Sequence, residues 1–418
     1  MRLEVGFGTG VQAFDVPEAN CVGVMHPNKL ETGLAGIEAV KAALVAPLGS
    51  KRLSSIVKPG EKVVIVTSDS TRPMPSKKVL PSVLDELEET ANLKDVTVVI
   101  ALGTHKPHSE EEIRKLVGDE SFERVHCVNG DPNDCLRMGV TSSGTPVEIT
   151  RVVAQADRRV ALGNIEFHYF AGYSGGAKAI LPGVASRAAI HANHRWMVED
   201  LAAAGRIDDN PVRRDIDEAL KFCPLDFIVN VVLDEKKEIV YAISGDPIKA
   251  HREGCRFLNS YYAAPLEKRA DIVIASQGGA PKDADLAQTQ KALENAKHAV
   301  RDGGITILVG ACGKGLGEKV FQEWMTTSPS PDFMIDRIKR DFQLGGHKAA
   351  SIALALKKFE IYLVSEMDPG LVRSALLQPF SSVQEALDKA FEKLGKDASV
   401  LVMPSAGSTL PVVGRFDS

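Results

Sequence analysis

No stretch of this 418-residue chain approaches the run of about 20 apolar residues that a membrane-spanning helix needs. The first residues, MRLEVGFGTGVQAF, lack the apolar segment of a secretory leader. There is no Lys/Arg-rich run either. With 50 basic residues against 55 acidic ones the net charge is -5, which leaves no electrostatic footprint for nucleic acid. Cysteine is scarce: six residues, at 21, 127, 135, 223, 255 and 312, none spaced as CxxC. In a chain of this size they read as reduced thiols. Internal repeats and low-complexity segments are missing too. These absences argue against a membrane protein, a nucleic-acid binder and a disulfide-stapled secreted module. They point to a cytoplasmic location.

What is present is ordinary globular material, 44% hydrophobic and 25% charged, in a chain long enough for two or three domains. Short β-branched runs alternate with amphipathic stretches. KVVIVTS (62–68), DVTVVIALG (95–103), RRVALGN (158–164), DFIVNVVL (226–233), DIVIAS (271–276), ITILVGA (305–311), FEIYLVS (359–365) and SVLVMPSAG (399–407) read as strands. PSKKVLPSVLDELEE (75–89) and SVQEALDKAFEKLG (382–395) read as helices. Near-continuous apolar strands alternating with helices predict parallel sheets covered on both faces. The pattern restarts near 271, after a helix and connection in HREGCRFLNSYYAAPLEKRA. The reading is an α/β protein of two α/β domains, 1–265 and 266–418, with mainly parallel sheets.

Polar residues collect in the turns after four of these strands, and in open α/β sheets ligands bind at the carboxyl ends of strands. With such turns in both domains, one site in the cleft between them is expected. SDSTRP brings Asp69 and Arg72. Asp69 suits orienting a histidine or capping a helix. Arg72 suits holding a carboxylate or phosphate with its planar fork, or a surface ion pair. GTHKPHSEEE brings His105 just ahead of a capping box, Ser109 with Glu112, that starts a helix. His105 is a candidate acid/base group, against a plain loop histidine bonded to a carbonyl. His108, nearer the cap, reads as solvated. In ASQGGAPKDADLAQTQKAL, Gln288 and Lys291 lie three apart on one helix face. They suit gripping a substrate carboxylate, or simply facing water.

The densest stretch is GNIEFHYFAGYSGGAKAILPGVASRAAIHANHRW (163–196). GYSGGAK is no Walker A loop, because Ala177 and Ala179 flank the lysine where Gly and Ser or Thr belong. Gly175 and Gly176 still permit close backbone approach to an anion. Lys178 has no acidic residue within four positions. Poor solvation among apolar neighbours would favour its neutral amine and so a nucleophile; a snorkelling stem is the alternative. His191 and His194 lie three apart on a helix expected over SRAAIHANHRWMVEDLAAAG. With His168 they form a set of imidazoles suited to nickel, copper, zinc or iron, each with a core or capping role as its alternative.

These blocks together, SDSTRP, ALGTH, EFHYFAGYSGGAKAILPGVAS with the histidine beyond it, and GGAPKDADLAQTQKAL, resemble the nickel-dependent lactate racemase family over nearly the whole chain. The resemblance implies a nickel pincer nucleotide, a pyridinium-3,5-bisthiocarboxylic acid mononucleotide that binds nickel through carbon and sulfur and is tethered to Lys178 by a thioamide. It assigns His194 as the protein's nickel ligand and His105 and His168 as two general acid/base groups. Asp69 and Arg72 match active-site positions, with Gly175 and Gly176 beside the nucleotide. Arg72, Gln288 and Lys291 match residues that meet the substrate. The first domain would carry the cofactor lysine and catalytic histidines, the second the substrate residues. The implied reaction is racemisation or epimerisation of a 2-hydroxy acid. One histidine removes the hydroxyl proton while the Cα hydrogen leaves as hydride, which returns to the other face of the flat 2-oxo acid. A second histidine serves the mirror-image substrate. Partner enzymes that make the cofactor are implied as well: a carboxylase/hydrolase, a sulfur insertase and a nickel insertase.

One position departs from the family's lactate-specific pattern. Ala287 stands where those members have a tyrosine, just before the matched glutamine, so a roomier pocket and a substrate other than lactate are expected. LGGHKAAS (344–351) offers His347 and Lys348 for a second carboxylate or sugar hydroxyls, or a helix start with no substrate role. Two other functions fit parts of the pattern. A lysine Schiff-base enzyme, of aldolase or pyridoxal-phosphate type, has no special need of the three histidines. A non-catalytic nickel or nucleotide carrier has no need of His105, His168, Gln288 and Lys291 together.

Overall fold

The computed structural model describes residues 1–26 and 33–413. The chain divides into two compact units, Leu30–Asn259 and Met1–Lys29 with Ser260–Ser418. Each is α/β, and all eight runs read as strands are strands.

The Leu30–Asn259 unit is built on a six-stranded sheet. Its order is Ile239–Gly245, Phe227–Leu233, Arg158–Asn164, Val63–Ser68, Val96–Ala101, His126–Asn129. The last five run parallel, and Ile239–Gly245 returns antiparallel at one edge. The inner strands are buried along nearly their whole length, which is why they read as unbroken Val/Ile runs rather than alternating ones. The helix Ser76–Glu88 lays Val79, Leu80, Val83, Leu84 and Leu87 into the same core as Ile65, Val98 and Ile100. Each such side chain is worth roughly 1.5–3 kcal/mol of burial. The capping box forms as its sequence predicts. Ser109 Oγ accepts from Glu112 N at 3.2 Å, and Glu112 Oε2 accepts from Ser109 N at 2.7 Å, opening the helix Glu110–Val117.

The other unit holds a six-stranded parallel sheet in the order Gln378–Phe380, Glu360–Val364, Val300–Val309, Ala270–Ser276, Val400–Met403, Cys21–Val24. The hairpin of Arg2–Phe7 and Gly10–Asp15 adds Val5 and Phe14 to a core shared with Ile272, Ile307 and Val402. The beginning of the chain therefore belongs with its end. The expected division at 265/266 put residues 1–26 with the first domain. Sheet pairing reassigns them, because Cys21–Val24 completes the edge beside Val400–Met403. Four residues at a sheet edge, none of them buried, are too short a run to announce themselves by periodicity.

All six cysteines are free thiols. Among the described residues no helix is long and apolar enough to cross a membrane.

Candidate active site

Adjacent parallel strands bring two of the candidate residues together. Ser68 and Ala101 are partners at the carboxyl ends of Val63–Ser68 and Val96–Ala101, so the turns that follow emerge side by side. Asp69, 2% exposed, heads one turn and His105 lies in the other. His105 Nδ1 sits 2.6 Å from Asp69 Oδ2. Thr71 Oγ1 donates to Asp69 Oδ1 at 2.7 Å. Burial opposes the charge on Asp69. The hydrogen bonds from His105 and Thr71, with the charges of His105 and Arg72, outweigh burial and hold the carboxyl below its ordinary value. An ionised carboxylate only accepts, so Nδ1 of His105 is the donor, and Nε2 is the nitrogen left to exchange a proton. Arg72 is exposed, donates to Thr71 Oγ1 at 3.3 Å, and forms no ion pair among the described residues. His108, read as solvated, has a side chain only 11% exposed; its Nε2 accepts from Ser70 N at 3.2 Å.

The next strand, Arg158–Asn164, leads into a short hairpin, Phe167–His168 with Gly172–Tyr173, and then into the 3-10 turn Gly176–Ala179 that carries Lys178. Phe170, at the tip of that hairpin, is the common neighbour of three candidates. The His168 ring meets it edge-on at 4.5 Å, the His194 ring at 5.0 Å, and Lys178 Nζ lies over it at 6.0 Å. Ala171 N donates to His168 Nδ1 at 3.2 Å, so the neutral ring holds its proton on Nε2. Burial first, then the charges of Lys178, Arg72, His194 and Arg213, push the His168 pKa well below the usual histidine value. Burial also leads for Lys178. Together with Arg213 and Arg72 it pushes the amine well below the usual lysine value, against a weaker pull from Glu166. The sequence left Lys178 as nucleophile or snorkelling stem; the downward shift is in the direction a nucleophilic amine requires.

His194 ends the helix Arg187–His194, which stops short of the span expected from its sequence and passes into the 3-10 turn Arg195–Val198. The buried His194 Nδ1 faces Asn193 Oδ1 at 3.0 Å. Asn193 Nδ2 donates to Asp215 and to the Val212 carbonyl, which fixes the amide's orientation. The acceptor oxygen therefore faces His194, whose Nδ1 donates and whose Nε2 bears the lone pair. His191, three residues earlier, is exposed.

Gly175 and Gly176 have left-handed φ values of 76° and 58°. Their space is already taken by protein. A Cβ at Gly175 would stand 2.8 Å from Asn230 Oδ1, and one at Gly176 would stand 2.8 Å from the His251 ring. Gly176 N donates to Asn230 Oδ1 at 2.9 Å. The approach of an anion to Gly176 N, expected from the glycines, meets a donor that Asn230 already uses. Asn230, Arg213 and His251 shape this loop and were missed in the sequence. Only Asn230 left a signal, as a polar residue inside the buried run FIVNVVL.

Comparison with known proteins shows the family. Residues 7–205 match the family model of the lactate racemase N-terminal domain, and residues 266–410 match that of the lactate racemase C-terminal domain. A lactate racemase from Thermoanaerobacterium thermosaccharolyticum is 34% identical over 98% of this chain and 99% of its own length. The chain belongs to the lactate racemase family. A second relative, the lactate racemase of Lactiplantibacillus plantarum, is 32% identical over 88% of this chain and 89% of its own. The solved apoprotein of the Thermoanaerobacterium enzyme superposes with a TM-score of 0.87 at 33% identity, covering 99% of this chain and 100% of that one. Membership makes the protein an isomerase, a racemase. The carrier reading left open by the sequence falls with it.

The family's C-terminal domain holds the remaining candidates. Gln288 and Lys291 are exposed on one face of the helix Leu286–Ala296, whose N-cap Asp285 accepts from Gln288 N at 2.8 Å. Lys348, on the helix Gly346–Leu356, donates to the Ala287 carbonyl at 2.9 Å. Ala287 itself is 2% exposed.

Proposed function

We propose that this racemase inverts a 2-hydroxy acid by hydride transfer, using a nickel pincer nucleotide tethered to Lys178, with His105 and His168 as general acid/base groups. The observation that carries the reading is the set of residues around Phe170: the Lys178 amine 6.0 Å over its ring, His194 with Nδ1 facing the Asn193 amide oxygen, and His168 with Nδ1 accepting from Ala171 N. The residues fit the group. Among the described residues no cluster of three or more His, Cys, Asp or Glu is set to hold a metal, so a metal here takes most of its donors from outside the chain. His194 Nε2 is a suitable imidazole donor for nickel, and Lys178 a suitable anchor. When bound, the cofactor supplies a hydride acceptor and donor.

The chain's own residues do the rest. Asp69 holds His105 with Nε2 ready to take the hydroxyl proton. His168, kept uncharged, presents its Nε2–H as a hydrogen-bond donor to the substrate oxygen and is the acid/base group for the mirror-image substrate. Arg72 is suited to hold the substrate carboxylate with its planar fork. Asp69 and Arg72, rather than Gly176, line the cofactor. Cofactor supply calls for carboxylase/hydrolase, sulfur-insertase and nickel-insertase partners.

Substrate choice falls on Lys348 more than on Ala287. A second cation beside Lys291 favours a 2-hydroxy acid more polar than lactate. Co-expression with the three cofactor-making enzymes is expected to add the cofactor's mass to the Lys178 peptide. The loaded enzyme should then racemise malate, aldonic or longer 2-hydroxy acids faster than lactate. Borohydride trapping of substrate or pyridoxal on Lys178 would replace this reading with a Schiff-base mechanism, and faster turnover of lactate would remove the substrate proposal alone.

A further inference from the structure

Behind the lysine turn lies a buried group of charges that the proposed reaction does not use. Arg213, on the helix Pro211–Ala219, is fully buried. That helix packs against the turn Gly176–Ala179. Arg213 Nε donates to the Ala171 carbonyl at 3.3 Å, and another of its nitrogens donates to the Tyr173 carbonyl. Both carbonyls belong to the loop that delivers Lys178. The guanidinium also reaches Asp217 Oδ1 at 3.4 Å, while Arg252 takes Asp217 Oδ2 at 2.5 Å. Two guanidiniums therefore share one carboxylate. His251 adds no negative charge. Its Nε2 faces the Ser174 carbonyl at 2.8 Å, so Nδ1 is the acceptor for Arg252 at 2.9 Å and the ring is neutral. Asp215 is spent elsewhere, on Thr141, Thr145 and Asn193. The charges remaining near Lys178 are Arg72 beyond the Val63–Ser68 strand and Glu166 beyond the Arg158–Asn164 strand.

We propose that Arg213 is a positioning residue for Lys178. It clamps the loop from behind, and its half-balanced charge keeps the Lys178 amine uncharged and nucleophilic. The proposal rests on the reading of Lys178 as the cofactor anchor, because attachment at nitrogen requires the free amine. The direction of the Lys178 shift agrees, with Arg213 the leading charge after burial. A buried cation has few water dipoles to screen it, so its effect on a neighbouring amine survives where a surface charge would fade.

The test uses the full-length chain carrying a free Lys178 amine. It is acetylated with acetic anhydride across a pH series, and peptide mass spectrometry follows Lys178 beside the exposed Lys51. The Lys178 midpoint is expected about two pH units or more below that of Lys51. Arg213→Met should raise it by about one unit or more. Arg252→Met, at a part-exposed position, leaves Asp217 to Arg213 alone and should raise it by less. Asp217→Asn should lower it. The last two variants keep the test decisive where Arg213→Met does not fold. A Lys178 midpoint equal to that of Lys51, or one unmoved by Arg252→Met and Asp217→Asn, would overturn the inference. That result with normal cofactor attachment would leave the anchor reading standing. A low midpoint that shifts as stated, with no mass gained on co-expression, would sink the anchor reading instead.

Discussion

At the scale of single residues, the Asp69–His105 pair is where geometry constrains chemistry most. Asp69 fixes the ring's tautomer, and nearly all of its own hydrogen-bonding capacity goes to His105 and Thr71. Asp69→Asn keeps the size and loses the charge, so the proton on Nδ1 is no longer held there. Turnover of the loaded enzyme should fall by roughly 10²–10⁴. The kcat of the loaded enzyme, measured in both directions, checks it. His105, Lys178 and His194 stand out in the sequence as polar residues beside small or turn-forming ones. Arg213 does not. NPVRRDIDEAL looks like a solvated amphipathic helix, and a buried arginine differs from a surface one only through partners distant in sequence. Gly176 was legible as a special position, but the reason lay in the His251 ring and Asn230, which local sequence does not show.

At the scale of elements, the strands were plain and the connections were not. A strand buried on both faces writes a continuous apolar run, as Val63–Ser68 and Phe227–Leu233 do. The two-residue strands Phe167–His168 and Gly172–Tyr173 are too short to carry any pattern, yet they hold His168. The strand Ala270–Ser276 is tied to Val400–Met403 by a side chain at its start. Asp271 Oδ2 accepts from Ser399 N at 2.8 Å and Ser399 Oγ at 2.6 Å, and Arg301 Nε meets Oδ1 at 2.5 Å. Burial works against the Asp271 charge, but the Ser399 bonds and Arg301 win and lower its pKa from 3.8 to about 2. A carboxyl depressed in the folded state stabilises above its ordinary pKa, and that stability fades as the pH falls toward 2. Asp271→Asn should therefore cost about 1–3 kcal/mol at pH 7. The gap to the parent should close on acidification, read from urea midpoints at pH 7 and in the acid range by peptide-resolved hydrogen exchange.

At the scale of the whole molecule, the two units were legible in number but not in membership. The sequence pattern restarts where the second unit's long segment begins, and nothing local says that residues 1–26 join it. Removing them takes Val5, Phe14 and Val16 from that core and uncovers the Val400–Met403 edge. Such a deletion should strip hydrogen-exchange protection from Ala270–Ser276 and its neighbours and leave Val63–Ser68 protected, because the Leu30–Asn259 unit keeps all its strands. Equal loss in both units would contradict the division.

Sheet order also sets a timetable. Cys21–Val24 leaves the ribosome long before Val400–Met403, its neighbour in the sheet. The unit between them is complete before that neighbour emerges, and domains generally fold as they emerge. The growing chain thus carries an unpaired strand across the synthesis of a whole unit, exposed to the wrong edges. Its second sheet closes only once Val400–Met403 has emerged.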